Sequence, residues 1–252
     1  MRKAICILIP AILLASVICG CGRHGSSSSS VFGFGKATGE PTREPYSIST
    51  PAPVETEAPV VTEAPADPFD DETEVYGVSS GDQYYSEALG LGFLSEDWEF
   101  YDGDTLSSRF SQPASVKVKD LEKLFNEYYS LTIMMGNETA GRGSFNVQLS
   151  PLTSDEYSMA ESDPEAYIDF SLEGCRQAFE EMSFDGYEVK KDHATVFDSS
   201  VPCVYSEGWY EDFVIYQKQV YLLYKGCAVV ITATSTSYKE FCDDILALFF
   251  SR

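Results

Sequence analysis

The segment FVIYQKQVYLLYKGCAVVITAT, Phe213–Thr234, decides the fold of this 252-residue chain because it holds two long strand-like stretches joined by a two-residue turn. The stretches Phe213–Tyr224 and Cys227–Thr234 are rich in β-branched and aromatic residues, which are enriched in strands. Lys225-Gly226 between them is short enough to connect antiparallel neighbours. We therefore predict an antiparallel hairpin here.

Alternate residues of the second stretch differ in polarity, as expected for a strand whose side chains point to opposite faces. The apolar set is Cys227, Val229, Ile231 and Ala233, and the polar pair is Thr232 and Thr234. Two more strands are predicted before the hairpin, at Tyr187–Phe197 and Val201–Tyr210, and the turn at Glu211-Asp212 is also short. The C-terminal part is therefore predicted to contain four antiparallel strands.

Four further strands are predicted before residue 150. The first two form a hairpin, and the last two flank a glycine-rich turn; they are Ala88–Leu94 and Trp98–Tyr101 around Ser95-Glu96-Asp97, then Leu131–Met135 and Ser144–Leu149 around Gly136–Gly143.

Apolar residues at helical spacing predict three helices. The first lies near Asp120–Tyr129, the second begins at Pro164 after Asp163, and the third opens with a capping box of Ser237 and Glu240. Their apolar faces are Leu121, Leu124, Phe125 and Tyr128; then Tyr167, Phe170, Gly174, Cys175, Ala178 and Met182; then Tyr238, Phe241, Cys242, Ile245, Leu248 and Phe249. Helices that flank an antiparallel sheet indicate an α+β fold.

The order of these elements resembles the PsbP-like sandwich, a fold of photosystem extrinsic proteins and of small bacterial lipoproteins. The residues that carry the resemblance are Leu91-Gly92-Phe93-Leu94 with Trp98, and the Phe213–Thr234 hairpin that leads into the closing helix. It covers the predicted domain, residues 83–252, and rests on element order. It implies an αβα sandwich and leaves the function unassigned, because one fold hosts many functions.

The first 21 residues have the layout of a targeting segment. Arg2 and Lys3 precede an apolar stretch, Ala4–Val17, which is shorter than the roughly 20 residues needed to cross a bilayer. The stretch ends in Ile18-Cys19-Gly20-Cys21, which resembles the lipobox of bacterial lipoproteins. We therefore expect the N-terminal segment to determine the cellular location of the protein.

This resemblance implies that residues 1–20 are a signal peptide and that Cys21 carries the lipid. Ile18 matches the aliphatic position and Gly20 the small one, whereas Cys19 stands where Ala or Ser is usual. An ordinary secretory signal cut nearby is the alternative. Two acyl chains suffice for stable anchoring, so the predicted location is extracytoplasmic, on the bacterial cell membrane.

Residues 21–82 are predicted to be the lipidated cysteine followed by a disordered linker. The composition changes to a serine run, Ser26–Ser30, and then to a Pro/Thr/Glu-rich stretch with a near-repeat at Val54–Pro59 and Val60–Pro65. No helical or strand periodicity there is long enough to bury an apolar face. The conformational entropy lost on ordering would therefore not be offset by burial. We interpret the segment as a tether.

The charge and the motifs exclude several functions. The chain has 17 Lys+Arg against 40 Asp+Glu, a net charge of -23, which argues against nucleic acid as a partner. His193 is the only histidine of the domain, Gly141-Arg142-Gly143-Ser144 lacks the lysine of a phosphate loop, and Asp102-Gly103-Asp104 lacks the remaining ligands of a calcium loop. We predict no metal and no cofactor.

Acidic pairs such as Glu180-Glu181 and Glu211-Asp212 are interpreted as solvated. A hydrolase that uses paired carboxylates remains the alternative function, and it requires a carboxyl group in an apolar pocket. The cysteines Cys175, Cys203, Cys227 and Cys242 allow one disulfide or free buried thiols.

Aromatic pairs provide the remaining hint of recognition. Tyr84-Tyr85, Tyr128-Tyr129 and Trp209-Tyr210 include candidate exposed rings for stacking on sugars or peptides, although most such rings pack in cores. We therefore predict a non-enzymatic domain that binds a protein partner, a small molecule or a glycan.

Overall fold

The computed structural model describes residues 71–211 and 213–252. Within them the chain forms eleven strands and five α-helices, and all paired strands are antiparallel. The predicted α+β class is therefore confirmed. The predictions on the signal peptide, on Cys21 and on most of the linker lie outside the described residues.

The strands and helices have the following bounds. The strands are β1 (Val78–Ser80), β2 (Gln83–Ser86), β3 (Leu91–Leu94), β4 (Trp98–Phe100), β5 (Leu131–Glu138), β6 (Gly143–Pro151), β7 (Gly186–Val196), β8 (Ser199–Tyr210), β9 (Phe213–Tyr224), β10 (Cys227–Ser235) and β11 (Phe249–Ser251). The helices are α1 (Gly103–Phe110), α2 (Leu121–Leu124), α3 (Ser154–Ser162), α4 (Pro164–Glu181) and α5 (Phe241–Leu246), and a 3-10 turn (Val118–Asp120) precedes α2.

Two sheets carry the architecture. The larger has the order β4-β5-β6-β10-β9-β8-β7, and the smaller has the order β1-β2-β3-β11. The four predicted C-terminal strands are confirmed, and they follow one another as neighbours. Between β9 and β10, Lys225 (φ 42) and Gly226 (φ 78) adopt the left-handed conformation that a two-residue hairpin turn requires.

The main core lies between the two sheets and is aromatic. Phe93 of the smaller sheet lies 4.2 Å from Phe145 of the larger one, measured between ring centroids, and 4.8 Å from Trp98. Phe249 of β11 is 5.0 Å from Phe93 and 5.1 Å from Phe145. Each such ring pair contributes about 0.5–1.5 kcal/mol to stability beyond the burial of its apolar area. The cluster therefore stabilises the packing of the smaller sheet against the larger one.

Helix α4 covers the opposite face of the larger sheet at the β7 and β8 end. Asp163 caps it by accepting a hydrogen bond from the Ala166 N–H at 3.1 Å, and Pro164 occupies its first position, as predicted. The predicted inner face is wrong in one respect: Phe170 is 43% exposed, whereas Ile168 and Phe179 are buried. Phe170 lies about 200° around the helix from Ile168, so both cannot face the sheet.

The predicted hairpin of residues 88–101 does not form. Its two halves are strands β3 and β4, but β3 pairs with β2 and β11 while β4 pairs with β5. The chain crosses from one sheet to the other between Leu94 and Trp98. It does so because Phe93 and Trp98 both enter the aromatic core from opposite sides.

The predicted first helix is much shorter than expected. Only Leu121–Leu124 is α-helical; Phe125 follows in a turn and Tyr128 lies just after that turn, and both side chains still pack on the core. The Asn126 side-chain amide donates to the Glu122 carbonyl at 3.1 Å. Such side-chain bonds compete with helical backbone bonds and favour a turn.

The closing helix is also shorter than predicted, and its capping box is absent. Glu240 makes no capping bond, and the Ser235 hydroxyl instead accepts from the backbone N–H groups of Ser237 and Tyr238. After Leu246 the chain straightens into β11, which pairs with β3. The predicted helical residue Phe249 is therefore a strand residue of the smaller sheet.

Some elements have no counterpart in the sequence predictions, namely β1, β2, α1 and α3. Strands β1 and β2 are only three and four residues long, which is too short to show a clear alternation. Helix α3 has no buried residue, so its sequence shows no apolar helical spacing. The packed chain also begins before the expected start at residue 83. Val75 and Tyr76 are buried in the core, and the backbones of Glu74 and Lys117 form an isolated antiparallel β-bridge.

Candidate functional site

The larger sheet has two chemically different faces. One face enters the aromatic core through apolar residues, and on the other face four neighbouring strands present buried polar side chains. We call these nine residues the polar strip: Thr132, Ser144, Asn146, Gln148, Ser150, Gln217, Gln219, Thr232 and Thr234.

Strand register makes the strip continuous. Thr232 of β10 lies opposite Asn146 of β6 on one side and opposite Gln219 of β9 on the other. Thr132 of β5 lies opposite Gln148. Helix α1 contacts β5, whereas α4 contacts β7 and β8, so the strip occupies the strands between these two helices.

The strip carries no charge, which distinguishes it from an ordinary solvated sheet face. The chain has 57 charged residues of the Lys, Arg, Asp and Glu types (17 basic and 40 acidic). On this face of the described strands β5, β6, β10 and β9, the register places none of them. Charged side chains are almost never fully buried unless they are paired, so the absence of charge agrees with the burial of the strip.

Some polar groups of the strip have partners. The Gln217 side-chain amide donates to Thr234 Oγ1 at 3.1 Å. Gln219 Oε1 accepts from the Tyr221 hydroxyl at 3.0 Å and from Cys175 Sγ at 3.2 Å. These bonds hold the β9 side of the strip in place.

Other groups of the strip have none. Gln148 Oε1, Ser150 Oγ and Thr232 Oγ1 are buried without a hydrogen-bond partner in the part of the chain that the structure describes. Leaving a buried polar group unpaired costs about 1–3 kcal/mol, and most such groups in native proteins are paired. The strip therefore contains buried oxygen atoms that lack a hydrogen-bond donor among the described residues.

An apolar pocket adjoins the strip. It has a volume of about 140 Å³ and is lined by residues of α3, α4, β8, β9 and β10, including Ala160, Tyr167, Tyr221 and Ala228. Ala228 lies directly opposite Ser150 of the strip. The rings of Tyr167 and Tyr221 meet edge to face, with centroids 5.6 Å apart. Strip and pocket together offer hydrogen bonds beside an apolar recess.

A second concave site, the charged cleft, lies on the opposite face of the sheet near α5. Its volume is about 290 Å³, and the largely buried Lys218 lies at its base. Lys218 Nζ contacts Asp243 Oδ1 at 2.8 Å, Asp192 Oδ2 at 3.2 Å and the His193 carbonyl at 3.0 Å. Every proton of this ammonium group therefore has an acceptor.

The electrostatics of the charged cleft favour ionised, paired groups. Burial opposes the ammonium form of Lys218, but hydrogen bonds and the charges of Asp243 and Asp192 outweigh it and raise the Lys218 pKa. Partial burial opposes ionisation of Asp192, yet the His193 backbone N–H and the Lys218 charge outweigh it and lower the Asp192 pKa. A general acid needs a carboxyl pKa shifted upwards, so Asp192 does not fit the role that the hydrolase alternative requires.

The candidate residues named in the sequence analysis, His193 and Asp102, lie apart from the strip. His193 is more than half exposed, and its Nε2 lies 3.1 Å from Glu165 Oε1. Asp102 caps α1 by accepting from the Thr105 N–H at 2.9 Å. In residues 71–211 and 213–252, no group of three His, Cys, Asp or Glu side chains is placed to hold a metal ion.

The four cysteines of the domain are free and buried. Of the two possibilities left open by the sequence, the structure therefore shows free thiols. Burial raises the pKa of Cys203, Cys227 and Cys242 to about 12. These thiols are protonated at neutral pH and serve as small core residues.

The aromatic pairs do not form a common surface. Tyr84 of β2 is fully buried in the core, Trp209 of β8 is 40% exposed, and Tyr129, in the loop before β5, is 44% exposed. None of the six rings lines the apolar pocket. The pocket instead uses Tyr167, which was predicted as an inner residue of a helix, and Tyr221.

The polar strip itself was not predicted, although its signal is present in the sequence. The run Ser144–Ser150 alternates strictly between polar and apolar residues, whereas in β9 Gln217 and Gln219 flank the charged Lys218 and the alternation is interrupted. Only Thr232 and Thr234 were recognised as sharing a polar face. The pairing of β6 with β10, which joins these residues, is set by tertiary structure.

Comparisons with known proteins do not assign the chain to a family. No protein-family model matches it, and no curated protein matches it significantly. Among the described residues, no helix has the length and apolar character needed to cross a bilayer.

Proposed function

We propose that this chain is a lipoprotein, held on the extracytoplasmic side of a bacterial membrane by a lipid on Cys21. We further propose that its domain is a non-enzymatic binding module and that the polar strip receives a neutral, polar ligand. The lipobox-like Ile18-Cys19-Gly20-Cys21 supports the location. The unpaired oxygen atoms of the strip support the binding role.

The single observation that carries the binding role is the set of three buried oxygen atoms at Gln148, Ser150 and Thr232. A ligand that donates O–H or N–H groups to them would recover hydrogen bonds that the free domain lacks. The ligand is neutral because the strip has no opposite charge to offer. An ionised group placed there would lose its hydration without compensation.

The position of the strip also suits binding. Its residues lie on central strands, and β10 pairs along its whole length with β6 on one side and with β9 on the other. The ladder fixes the backbone of such strands, so little backbone ordering is needed when a ligand arrives. Preorganisation of this kind lowers the entropic cost of binding.

The test is a thermal-shift experiment on the full-length protein in detergent. The neutral probes are the trimer of N-acetylglucosamine, cellotriose and a cyclic Gly/Leu hexapeptide, and the charged probes are ATP and spermidine. A probe at about 100 times its Kd stabilises by about 2.7 kcal/mol, which is a Tm increase of roughly 5–10 °C for a domain of this size. We expect such an increase from at least one neutral probe and none from the charged ones.

Two variants assign the site. Gln148→Leu keeps the size of a strip residue and removes its polar atoms, so it should abolish the increase. Lys218→Met changes the charged cleft and should leave it intact. The proposal is wrong if no neutral probe raises the Tm, or if the increase survives Gln148→Leu and disappears with Lys218→Met.

A further inference from the structure

We infer that the apolar pocket and the exposed side chains beside it form a docking surface for a basic segment of a protein partner, which inserts one apolar side chain. The surface lies at helices α3 and α4, and its pocket is lined by no residue of the polar strip. It therefore adds a second binding surface to the proposed function. Three properties support it: the size of the pocket, the apolar side chains next to it and the charge around it.

The pocket has room for one side chain. Its volume is about 140 Å³, and an apolar cavity of about 150 Å³ is known to accept benzene. The lining consists of Ala, Pro, Val, Ile and Leu side chains and two tyrosines, with no charged residue among them. The phenyl ring of a phenylalanine therefore fits the pocket in size and polarity. Apolar side chains that fill such pockets supply much of the affinity of protein interfaces.

Two exposed apolar side chains lie beside the pocket. Phe170 is 43% exposed, and its ring centroid is 6.3 Å from that of Tyr167, which lines the pocket. Met159 is 36% exposed and directly precedes Ala160 of the pocket wall. Helix α3 has no buried residue, so packing in the core does not account for Met159. Exposed apolar groups around a recess are typical of protein interaction sites.

The charge around the pocket determines the chemistry of the partner. Residues 154–181, which include both helices, contain nine Asp and Glu residues against one basic residue, Arg176, and so have a net charge of -8. These 28 of the 252 residues carry about a third of the net charge of -23. The surroundings of the pocket are therefore more acidic than the chain as a whole.

Part of this negative charge has no partner in the described chain. Glu165 and Asp169 lie 3.2 Å and 3.0 Å from Lys191 Nζ. Glu161 and Asp163, next to residues of the pocket wall, are exposed and form no ion pair within residues 71–211 and 213–252. Such a surface attracts a segment with Lys or Arg on both sides of the inserted side chain and repels an acidic one. A second copy of this chain would bring the same negative charge and is disfavoured.

The experiment is calorimetric titration of the full-length protein in detergent with three capped heptapeptides. The basic probe is acetyl-Lys-Lys-Gly-Phe-Gly-Lys-Lys-amide, the second peptide has Ala in place of Phe, and the third has Glu in place of every Lys. We expect the Ala peptide to bind at least about tenfold more weakly than the Phe peptide, because burial of a Phe side chain contributes more than this factor. The Glu peptide should not bind, because the surface repels it.

Two leucine substitutions on α3 assign the site. Ala160→Leu fills the pocket, so it should lower the affinity for the Phe peptide at least about tenfold and leave the affinity for the Ala peptide unchanged. Ser158→Leu is the matched control, since it adds the same side chain about 200° around the helix, at an exposed position outside the pocket. It should leave both affinities unchanged.

Equal binding of the Phe and Ala peptides would overturn the docking surface, because the protein would then recognise charge alone. Equal effects of Ala160→Leu and Ser158→Leu would also overturn it, and binding of the Glu peptide would contradict a basic partner. A wild-type dimer in gel filtration that Ala160→Leu dissociates would show a second copy as the occupant instead. If Ala160→Leu does not fold, Phe170→Ala replaces it: this exposed substitution should weaken the Phe peptide about threefold, and an unchanged affinity would contradict the docking surface.

Discussion

Ending the chain after Ser237 should leave the domain unfolded or aggregated, because the truncation removes α5 and β11 together. Cys242, Ile245 and Leu246 are fully buried, and Phe249 is 4% exposed. Loss of one large buried side chain costs about 2–5 kcal/mol, and a domain is stable by only about 5–15 kcal/mol. Circular dichroism and gel filtration measure the outcome.

A pair of point variants separates burial from chain length. Ile245→Asp places a carboxylate at a fully buried position, and Ala247→Asp places the same group at an exposed position two residues later. The first should unfold the domain. The second should cost about 1 kcal/mol or less, as expected for a negative charge at a helix C-terminus. A truncated chain that melts cooperatively near the wild-type Tm would show that α5 and β11 are peripheral.

The Cys21→Ala variant should be released from membranes or remain unprocessed, because the lipid is attached through that thiol. Diacyl attachment is effectively all-or-none, since two chains anchor stably and no acyl chain gives no anchoring. Fractionation of cells into membrane and soluble material measures the effect, and electrophoretic size reports processing.

Cys19→Ala is the matched control for this prediction. It removes the neighbouring thiol and places the residue that is usual at this position of a lipobox, so membrane association should be retained. Release by Cys19→Ala, or wild-type partitioning and size of Cys21→Ala, would contradict the lipoprotein proposal.

Sequence patterns predicted the long strands well and the short elements poorly. The strands from β7 to β10 are nine to twelve residues long and have clear alternation or β-branched content. By contrast, β11 has three residues, and its Phe249 continues the helical spacing of Ile245. Its identity as a strand depends on pairing with β3, which is more than 150 residues away in sequence. Local periodicity carries no information about such a partner.

The candidate site could not be predicted from the sequence for a related reason. The alternation in Ser144–Ser150 indicates a polar face, but it does not show whether that face is solvated, covered or hydrogen-bonded. The register of β6, β10 and β9 brings the strip together, and only atomic positions reveal which oxygen atoms lack a partner. Charge patterning alone offered a usable clue, because these polar positions are free of Asp, Glu, Lys and Arg.

The most direct test of the central claim is the stability of Thr232→Val compared with Thr234→Val in the ligand-free full-length chain. Both substitutions replace a hydroxyl with a methyl group on the same face of β10 and preserve β-branching. Thr234 Oγ1 accepts from Gln217, so its loss should cost about 1–2 kcal/mol. Thr232 Oγ1 has no partner in the described chain, so its loss should be neutral or stabilising.

Thermal unfolding distinguishes the two variants, because 1 kcal/mol corresponds to about 2–4 °C in Tm for a domain of this size. The account predicts a lower Tm for Thr234→Val and an unchanged or higher Tm for Thr232→Val. If Thr232→Val lowers the Tm as much as Thr234→Val does, the Thr232 hydroxyl is already bonded in the free protein and the strip is a structural network instead of a binding surface.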